Sequence, residues 1–298
     1  AEQGRTWYDN SDCRLGNVDY RNCSTGRPTT TAQGYRDHMR FNRTEFSAGH
    51  DSRFSFGRLQ SSVMRSTTET LGRTIPTAAV PVGDPMIGQH RELKTVNTVV
   101  HTKLVSPIGE SHILTTGAQW WDASFKDGLL PGDYKQTMWA LFAEDEWRVI
   151  DQLALTGGLR YDHDSQSGGQ LSPRVYAVWS ANANWTVKGG VSTGFRAPSI
   201  RQTLGDWGAS SRGGDRYGNP DLEAETSLTK EIGAIFDSKQ GTIGSVTLFD
   251  NQFDNKITRV SCPECGPVNS SGRVPTTYVN VDQAISRGVE MALATDLT

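Results

Sequence analysis

The stretch "LALTGGLRYDHDS", residues 153–165, decides the fold. Leu153, Leu155, Gly157, Leu159 and Tyr161 fall on one face, and Ala154, Thr156, Gly158, Arg160 and Asp162 on the other. Period two is the strand signal, because side chains alternate across a pleated sheet. The pattern recurs. "QTMWALFAEDEW" sets Trp139, Leu141 and Ala143 against Phe142, Glu144 and Glu146. "WTVKGGVSTGFR" sets Trp185, Val187, Val191 and Phe195 against Thr186, Lys188, Ser192 and Arg196. "SLTKEIGAIF" and "GSVTLFDNQF" read similarly, and "AISRGVEMALA" groups Ile285, Val289, Met291 and Leu293, with Arg287 on the same parity. Further candidates are 40–49, 53–65, 92–105, 111–124 and 172–181. About eleven strands of roughly ten residues or more result, longer than the five or six usual in soluble proteins. Strong helical periodicity is absent, so the chain reads as all-β.

The apolar faces need a partner, yet the mean hydropathy is −0.52. No segment approaches the roughly 18 consecutive apolar residues of a membrane helix. The expected connections are of two kinds that alternate. Short polar turns are expected near 50–52, 106–110, 149–152, 181–184 and 238–242, and longer segments near 10–38, 66–91, 125–134, 164–171, 197–225 and 257–276. An up-and-down transmembrane β-barrel, with short periplasmic turns and long extracellular loops, gives this rhythm. Trp147, Trp179 and Trp185 lie beside short turns, as in an interfacial aromatic girdle. A soluble sandwich also alternates, but strand length and loop rhythm favour the membrane. The apolar face of Leu153–Tyr161 is then expected to touch lipid, with Arg160 pointing into a polar lumen. Single-chain bacterial barrels use even strand numbers, and an open edge is costly in lipid. The set is therefore expected to be part of a larger barrel.

The formal charge of −3 and pI near 6.1 argue against a nucleic-acid partner. The cysteines, Cys13, Cys23, Cys262 and Cys265, form two close pairs in polar, turn-rich surroundings. That favours local disulfides and an oxidising compartment. A zinc site is the alternative, since Cys262-Pro-Glu-Cys265 has a suitable gap, but the other pair has nine residues between its cysteines and no His-x-x-x-His accompanies it.

Several blocks carry a resemblance: "ALFAEDEWRVIDQLALTGGLRYDHD", "LSPRVYAVWSANANWTVKGGVSTGFRAPSIRQ", "GNPDLEAETSLTKEIG" and "YVNVDQAISRGVEMAL". In order and spacing they resemble consecutive barrel blocks of TonB-dependent outer-membrane siderophore receptors of the ferric enterobactin (catecholate) type. The match is specific from about 136 to 298 and looser before. The resemblance implies a 22-stranded antiparallel barrel of which residues 1–298 form part, without the plug domain or the remaining strands. It implies TonB-dependent uptake in the outer membrane of a Gram-negative bacterium, by a receptor that is not an enzyme. No cofactor is implied, since iron is carried as the siderophore chelate. The implied partners are the ferric siderophore, TonB through the plug, outer-membrane lipid and lipopolysaccharide, and docking bacteriocins or phages. Import of another chelate (a hydroxamate or haem) and a passive porin are the alternatives.

In the motif "GFRAPS", Arg196 tops a lumen-facing row and Pro198 ends the strand, lacking a ladder donor. Glu223 and Glu225 lead into the next strand, and Glu225 is expected to pair with Arg196 or with plug arginines. Glu290 is expected to face the lumen or plug. A ferric tris-catecholate is a flat-faced trianion, so its site needs cations and aromatic rings together. Two loop segments carry that mixture. The first contains Tyr8, Arg14, Tyr20, Arg21, Arg27, Tyr35 and Arg36, with nearby acids cancelling much of its charge. The second contains Arg201, Trp207, Arg212, Arg216 and Tyr217. Catalytic constellations are lacking: only His163, between Asp162 and Asp164, is crowded by acids, and a polar strand end accounts for it.

Overall fold

A computed structural model describes residues 2–13, 18–80, 83–205, 208–209, 215–268 and 272–296. Among these, fourteen strands form: β1 (Glu2–Asp9), β2 (Tyr35–Phe54), β3 (Gly57–Arg73), β4 (Leu93–Ile108), β5 (His112–Asp127), β6 (Asp133–Ile150), β7 (Leu153–Asp164), β8 (Gly168–Ser180), β9 (Trp185–Arg196), β10 (Gly208–Ala209), β11 (Arg216–Tyr217), β12 (Glu225–Asp237), β13 (Thr242–Ser261) and β14 (Thr276–Thr295). One helical turn, α1 (Ile200–Thr203), follows β9. The sheet order is β1 through β9, then β12, β13, β14, β11 and β10. Each long strand thus lies beside its neighbours in sequence, as a meander requires. The eleven expected strands correspond to β2–β9 and β12–β14. Among the described residues no helix is long and apolar enough to cross a membrane.

The chain divides into two compact units. The first comprises Ala1–Gly49, Ser62–Val100 and Trp121–Thr137; the second comprises His50–Ser61, His101–Trp120 and Met138–Thr298.

The first unit contains two long connections and a small core of Val18, Ala32, Met39, Ile75 and Phe125. Segments 10–34 and 74–92 fasten to each other through Ala32 and Thr77: the Ala32 amide donates to Thr77 Oγ1, and the Thr77 amide donates to the Ala32 carbonyl, both at 2.9 Å. Tyr8, expected in a loop, instead lies in β1, which pairs with β2 at all eight of its residues. Tyr35 and Arg36 begin β2 and are strand residues as well.

In the second unit the two sheet faces differ as the alternation requires. Leu159 is 53% and Tyr161 38% exposed, while Asp162 and Asp164 behind them are buried. Two aromatic levels bound the exposed face. Trp147, Trp179 and Trp185 lie by the tight turns, and Trp139 stacks near Tyr161 (5.5 Å) and His163 (5.4 Å) toward the opposite end. Trp185 and Phe195 share this face of β9, ten residues apart. At about 3.3 Å per residue and roughly 40° of tilt they span about 25 Å of height, the apolar band of an outer-membrane barrel.

The other face is polar and keyed. A Cβ at Gly117 would collide with the Phe142 ring, and one at Gly190 with the Tyr176 ring, so each glycine makes room for an aromatic neighbour. Arg160 donates to Asp162 (2.8–3.0 Å) and Gln119 (3.0 Å) on this face, as expected for a lumenal arginine.

Two connections depart from expectation. The turn expected at 50–52 lies at Ser55–Phe56, because β2 runs on to Phe54 and Asp51 is held within it by Arg58 and by Gln60 at 3.0 Å. The long connection expected at 164–171 is a three-residue hairpin, Ser165–Ser167. Asp164 closes it by accepting the Gln166 and Ser167 amides at 3.0 and 2.8 Å, the local bond that lets an aspartate replace a backbone turn.

Candidate functional site

In the first unit, Asp19 organises the segment that carries most of the expected site residues. Its Oδ1 accepts the amides of Gln33 (2.7 Å), Gly34 (2.8 Å) and Tyr35 (3.3 Å), and its Oδ2 accepts Thr74 Oγ1. A carboxylate that accepts several amides holds them more firmly than a neutral acceptor would. A disulfide joins Cys13 to Cys23 with the Cα atoms 6.0 Å apart. Behind the loops, Arg91 grips Asp127 in a buried bidentate pair at 2.6 and 2.5 Å.

These supports sort the expected residues. Arg21 is committed to neighbours within the unit, donating Nη2 to the Ser11 carbonyl (2.7 Å) and to Asp37 (3.1 Å). Tyr35 lies beneath the Arg73 guanidinium, 4.1 Å from the ring centre, and Tyr8 packs edge-on against Phe41. Tyr20, Arg27 and Arg36 remain exposed on the same unit. Arg14 lies outside the described residues.

In the second unit, segment 197–224 is tied to the strands behind it. β11 pairs in parallel with β14 at Arg216 and Thr276, and the Thr276 amide donates to the Asp215 carbonyl at 2.8 Å. Asn219 Nδ2 donates to the Tyr278 carbonyl at 2.9 Å. Asn255, at φ 53°, and Asp282 opposite it interrupt the β13–β14 ladder without a change of register, and the Asn255 side chain donates to Glu223 (2.9 Å). Asn280 Nδ2 donates to the carbonyls of Glu223 (3.0 Å) and Asn255 (2.6 Å). Glu225 accepts Arg196 Nη1 at 2.8 Å and the Ile257 amide at 2.6 Å, so the expected Arg196–Glu225 pair forms within this chain. Pro198 is buried just beyond the end of β9.

Arg216 and Tyr217 are half-buried on this scaffold, and Arg201 is exposed on α1. The Tyr217 hydroxyl packs against Gly266, beside the disulfide between Cys262 and Cys265. Burial, reinforced by Asp215, pushes its phenol above the ordinary tyrosine range. Trp207 and Arg212 lie outside the described residues. Both cysteine pairs are disulfides, so the zinc alternative falls. His163 rests against Trp139 while its two acidic neighbours serve Arg160 and the hairpin turn, as a polar strand end requires. Linear reading missed the roles of Asp19, Arg73, Asn255 and Asn280, whose partners lie 14 or more residues away and leave no local signature.

Each unit thus carries polar, disulfide-pinned loops, and the sheet of the second has one apolar, aromatic-bounded face. Residues 3–298 match the family model described as TonB dependent receptor-like, beta-barrel. The chain belongs to this family. The exposed apolar face is accordingly the lipid face of a TonB-dependent receptor barrel in the outer membrane of a Gram-negative bacterium. The family comprises receptors and not enzymes.

Among curated relatives, an iron-regulated outer membrane virulence protein of Vibrio cholerae is 46% identical over 217 residues, 70% of this chain and 33% of that protein. The ferrienterobactin receptor of Escherichia coli is 34% identical over 172 residues, 53% of this chain and 22% of that protein. The crystal structure of the siderophore receptor PirA from Pseudomonas aeruginosa superposes with a TM-score of 0.74 at 25% identity, covering 85% of this chain and 46% of that one. The chain spans about a third of the length of the first of these relatives.

Proposed function

We propose that this chain is part of the barrel of a receptor that takes up a ferric catecholate siderophore across the outer membrane, energised by TonB through a plug domain. The observation that carries the reading is the pre-built loop support. The Asp19 cradle and the Cys13–Cys23 disulfide hold a segment that presents Tyr20, Arg27 and Arg36 to solvent. Cations and rings on a stiff frame suit a flat-faced trianion, because little ordering entropy is lost on binding. Arg201, Arg216 and Tyr217 offer the same chemistry on the second unit, with Arg14, Trp207 and Arg212 as further candidates from sequence. The iron arrives within the chelate, so the protein supplies no metal ligands of its own. The name of the Escherichia coli relative, a ferrienterobactin receptor, supports the same reading. Lipopolysaccharide, bacteriocins and phages are the other partners this reading proposes.

The test is a titration of the full-length receptor in detergent with ferric enterobactin and with a ferric hydroxamate, followed by tryptophan quenching. Selective catecholate binding is expected, weakened about tenfold when Arg27 and Arg36 are both replaced by alanine, one charged contact being worth about 1 kcal/mol or more. Equal binding of the hydroxamate would remove the catecholate from the proposal. Ligand-independent conductance would point to a porin.

A further inference from the structure

The apolar face of the second unit is interrupted by a charged row. The ladders place Lys230 opposite Asp250, and Asp250 opposite Arg287. Leu228 and Ile285 lie on the same face toward the long loops, and Ile232, Leu248 and Val289 toward the tight turns. Apolar side chains thus enclose the row from both ends. Lys230 is six residues from Phe236, which lies opposite Trp185 at the tight-turn aromatic level. At about 3.3 Å per residue and roughly 40° of tilt, that sets it about 15 Å into a band about 25 Å tall. Charged side chains at such a depth are costly unless a partner of opposite sign meets them.

The chain meets that need only in part. Arg287 Nε donates to Asp250 Oδ2 at 2.5 Å, and Gln252 Nε2 donates to Oδ1 at 3.2 Å. Lys230, across the ladder from the same carboxylate, closes no ion pair among the described residues. One acid therefore stands between two cations.

A second copy of the same row would complete it. Two copies in one membrane share an orientation, so the two-fold axis of a pair runs along the membrane normal. With that axis on the seam between β12 and β13, Lys230 of each copy meets the partner's Asp250. The same operation sets β9 against the partner's β14. Beside β9 lies a recess of about 510 Å³ lined by Gly189, Val191, Ile232 and Leu248. Gly189 leaves it open, and the Glu231 carbonyl stands too close for a side chain to be added there freely. β14 presents Ile285, Val289 and Met291, all half exposed or more, so a hollow on one strand faces projections on the other.

We propose that two copies of the receptor associate through this face within the membrane, with Lys230 of each copy paired to the partner's Asp250. Each Asp250 then bridges its own Arg287 and the partner's Lys230. The apolar side chains on either side of the row keep lipid and water from the pairs, and attraction between charges is strong where the dielectric is low. The inference rests on the outer-membrane placement of the barrel and not on which chelate the loops bind.

The test places the full-length receptor, labelled with donor or acceptor dye, in phosphatidylcholine vesicles and follows energy transfer as its surface density rises. Lys230→Met, which removes the cation without adding a charge, should weaken association about tenfold, a ratio worth about 1.4 kcal/mol. Lys188→Gln, on the opposite sheet face, should change nothing. Lys230→Glu sets two acids against each other in a pair, and Asp250→Lys sets two cations, so neither variant should associate with itself. Mixed together they should associate, because the introduced glutamate meets the introduced lysine. A bismaleimide should link Leu248→Cys, at the seam, and spare Leu159→Cys, on the same face of β7. Heat-modifiable gel mobility reports folding of every variant. A wild type that stays monomeric, a mixture that fails to associate, or equal linking of the two cysteine variants would overturn the proposal. Association as expected by a receptor indifferent to the catecholate would sink the proposed substrate and leave this contact standing.

Discussion

Arg196 stands directly opposite Glu225 in the β9–β12 ladder, yet the two differ sharply in burial: the arginine side chain is 61% exposed and the glutamate 9%. Glu225 also holds the Ile257 amide, two residues past the ladder interruption at Asn255, so its carboxylate joins three strands. The acid should therefore matter more than the base. Arg196→Ala should cost less than about 1 kcal/mol, as exposed pairs do. Glu225→Ala strips a part-buried amide of its acceptor and should cost about 1–2 kcal/mol. Equal losses for the two variants in denaturant unfolding would contradict this.

Asp19 gathers three consecutive amides and one hydroxyl. Asp19→Ala should expose the amides of Gln33, Gly34 and Tyr35 to rapid hydrogen exchange, with a loss of about 2–4 kcal/mol in local protection. Asp19→Asn keeps the Oδ1 acceptor and should lose less. Exchange that rises over the whole barrel instead would mean that the residue supports global stability and not the loop.

The two disulfides should differ in worth. Cys13–Cys23 closes a sequence separation of 10 and Cys262–Cys265 one of 3. By loop entropy the first contributes about 2–3 kcal/mol and the second roughly 1.5 kcal/mol. Limited proteolysis after mild reduction should therefore cut segment 10–34 well before 262–275. The reverse order of cleavage would refute the ranking.

At the loop end of β4, the Glu92 carboxyl is held below the usual carboxylate range, chiefly by its hydrogen bond from Lys126 Nζ at 2.9 Å. A depressed carboxyl stabilises the fold above its unfolded pKa, and that contribution disappears as pH falls through the folded value. The pair is exposed, so the effect is small. Lys126→Ala should flatten the acid limb of a stability–pH curve and leave stability at still lower pH unchanged. An unaltered acid limb would show that the pair does not contribute.

The long strands were legible because lipid on one side and a polar lumen on the other force a strict alternation on the residues between. β1 escaped that reading. "EQGRTWYD" is exposed at every position and shows no apolar face, so pairing with β2, and not patterning, makes it a strand. The site was legible as composition only. Arginine and tyrosine enrichment marked the loop segments, but Arg21 and Tyr35 proved to be occupied by Asp37 and Arg73. Those partners come from elsewhere in the chain, and spacing along the sequence carries no trace of them. The displaced turn at Ser55–Phe56 has a similar origin: a polar run was a strand segment held by Asp51 and Arg58.

The glycines beneath Phe142 and Tyr176 have a consequence for how such a sheet is assembled. A slip of one residue turns every side chain to the wrong face and is rejected by hydrophobicity alone. A slip of two preserves the faces, and hydrophobicity is blind to it. Phe142 would then meet Thr115 or Gln119 in place of Gly117, and Tyr176 would meet Lys188 or Ser192 in place of Gly190. Each of those residues carries a side chain where the glycine leaves space for the ring. The paired rings and glycines thus proofread strand alignment by shape, catching the one class of error that polarity lets through.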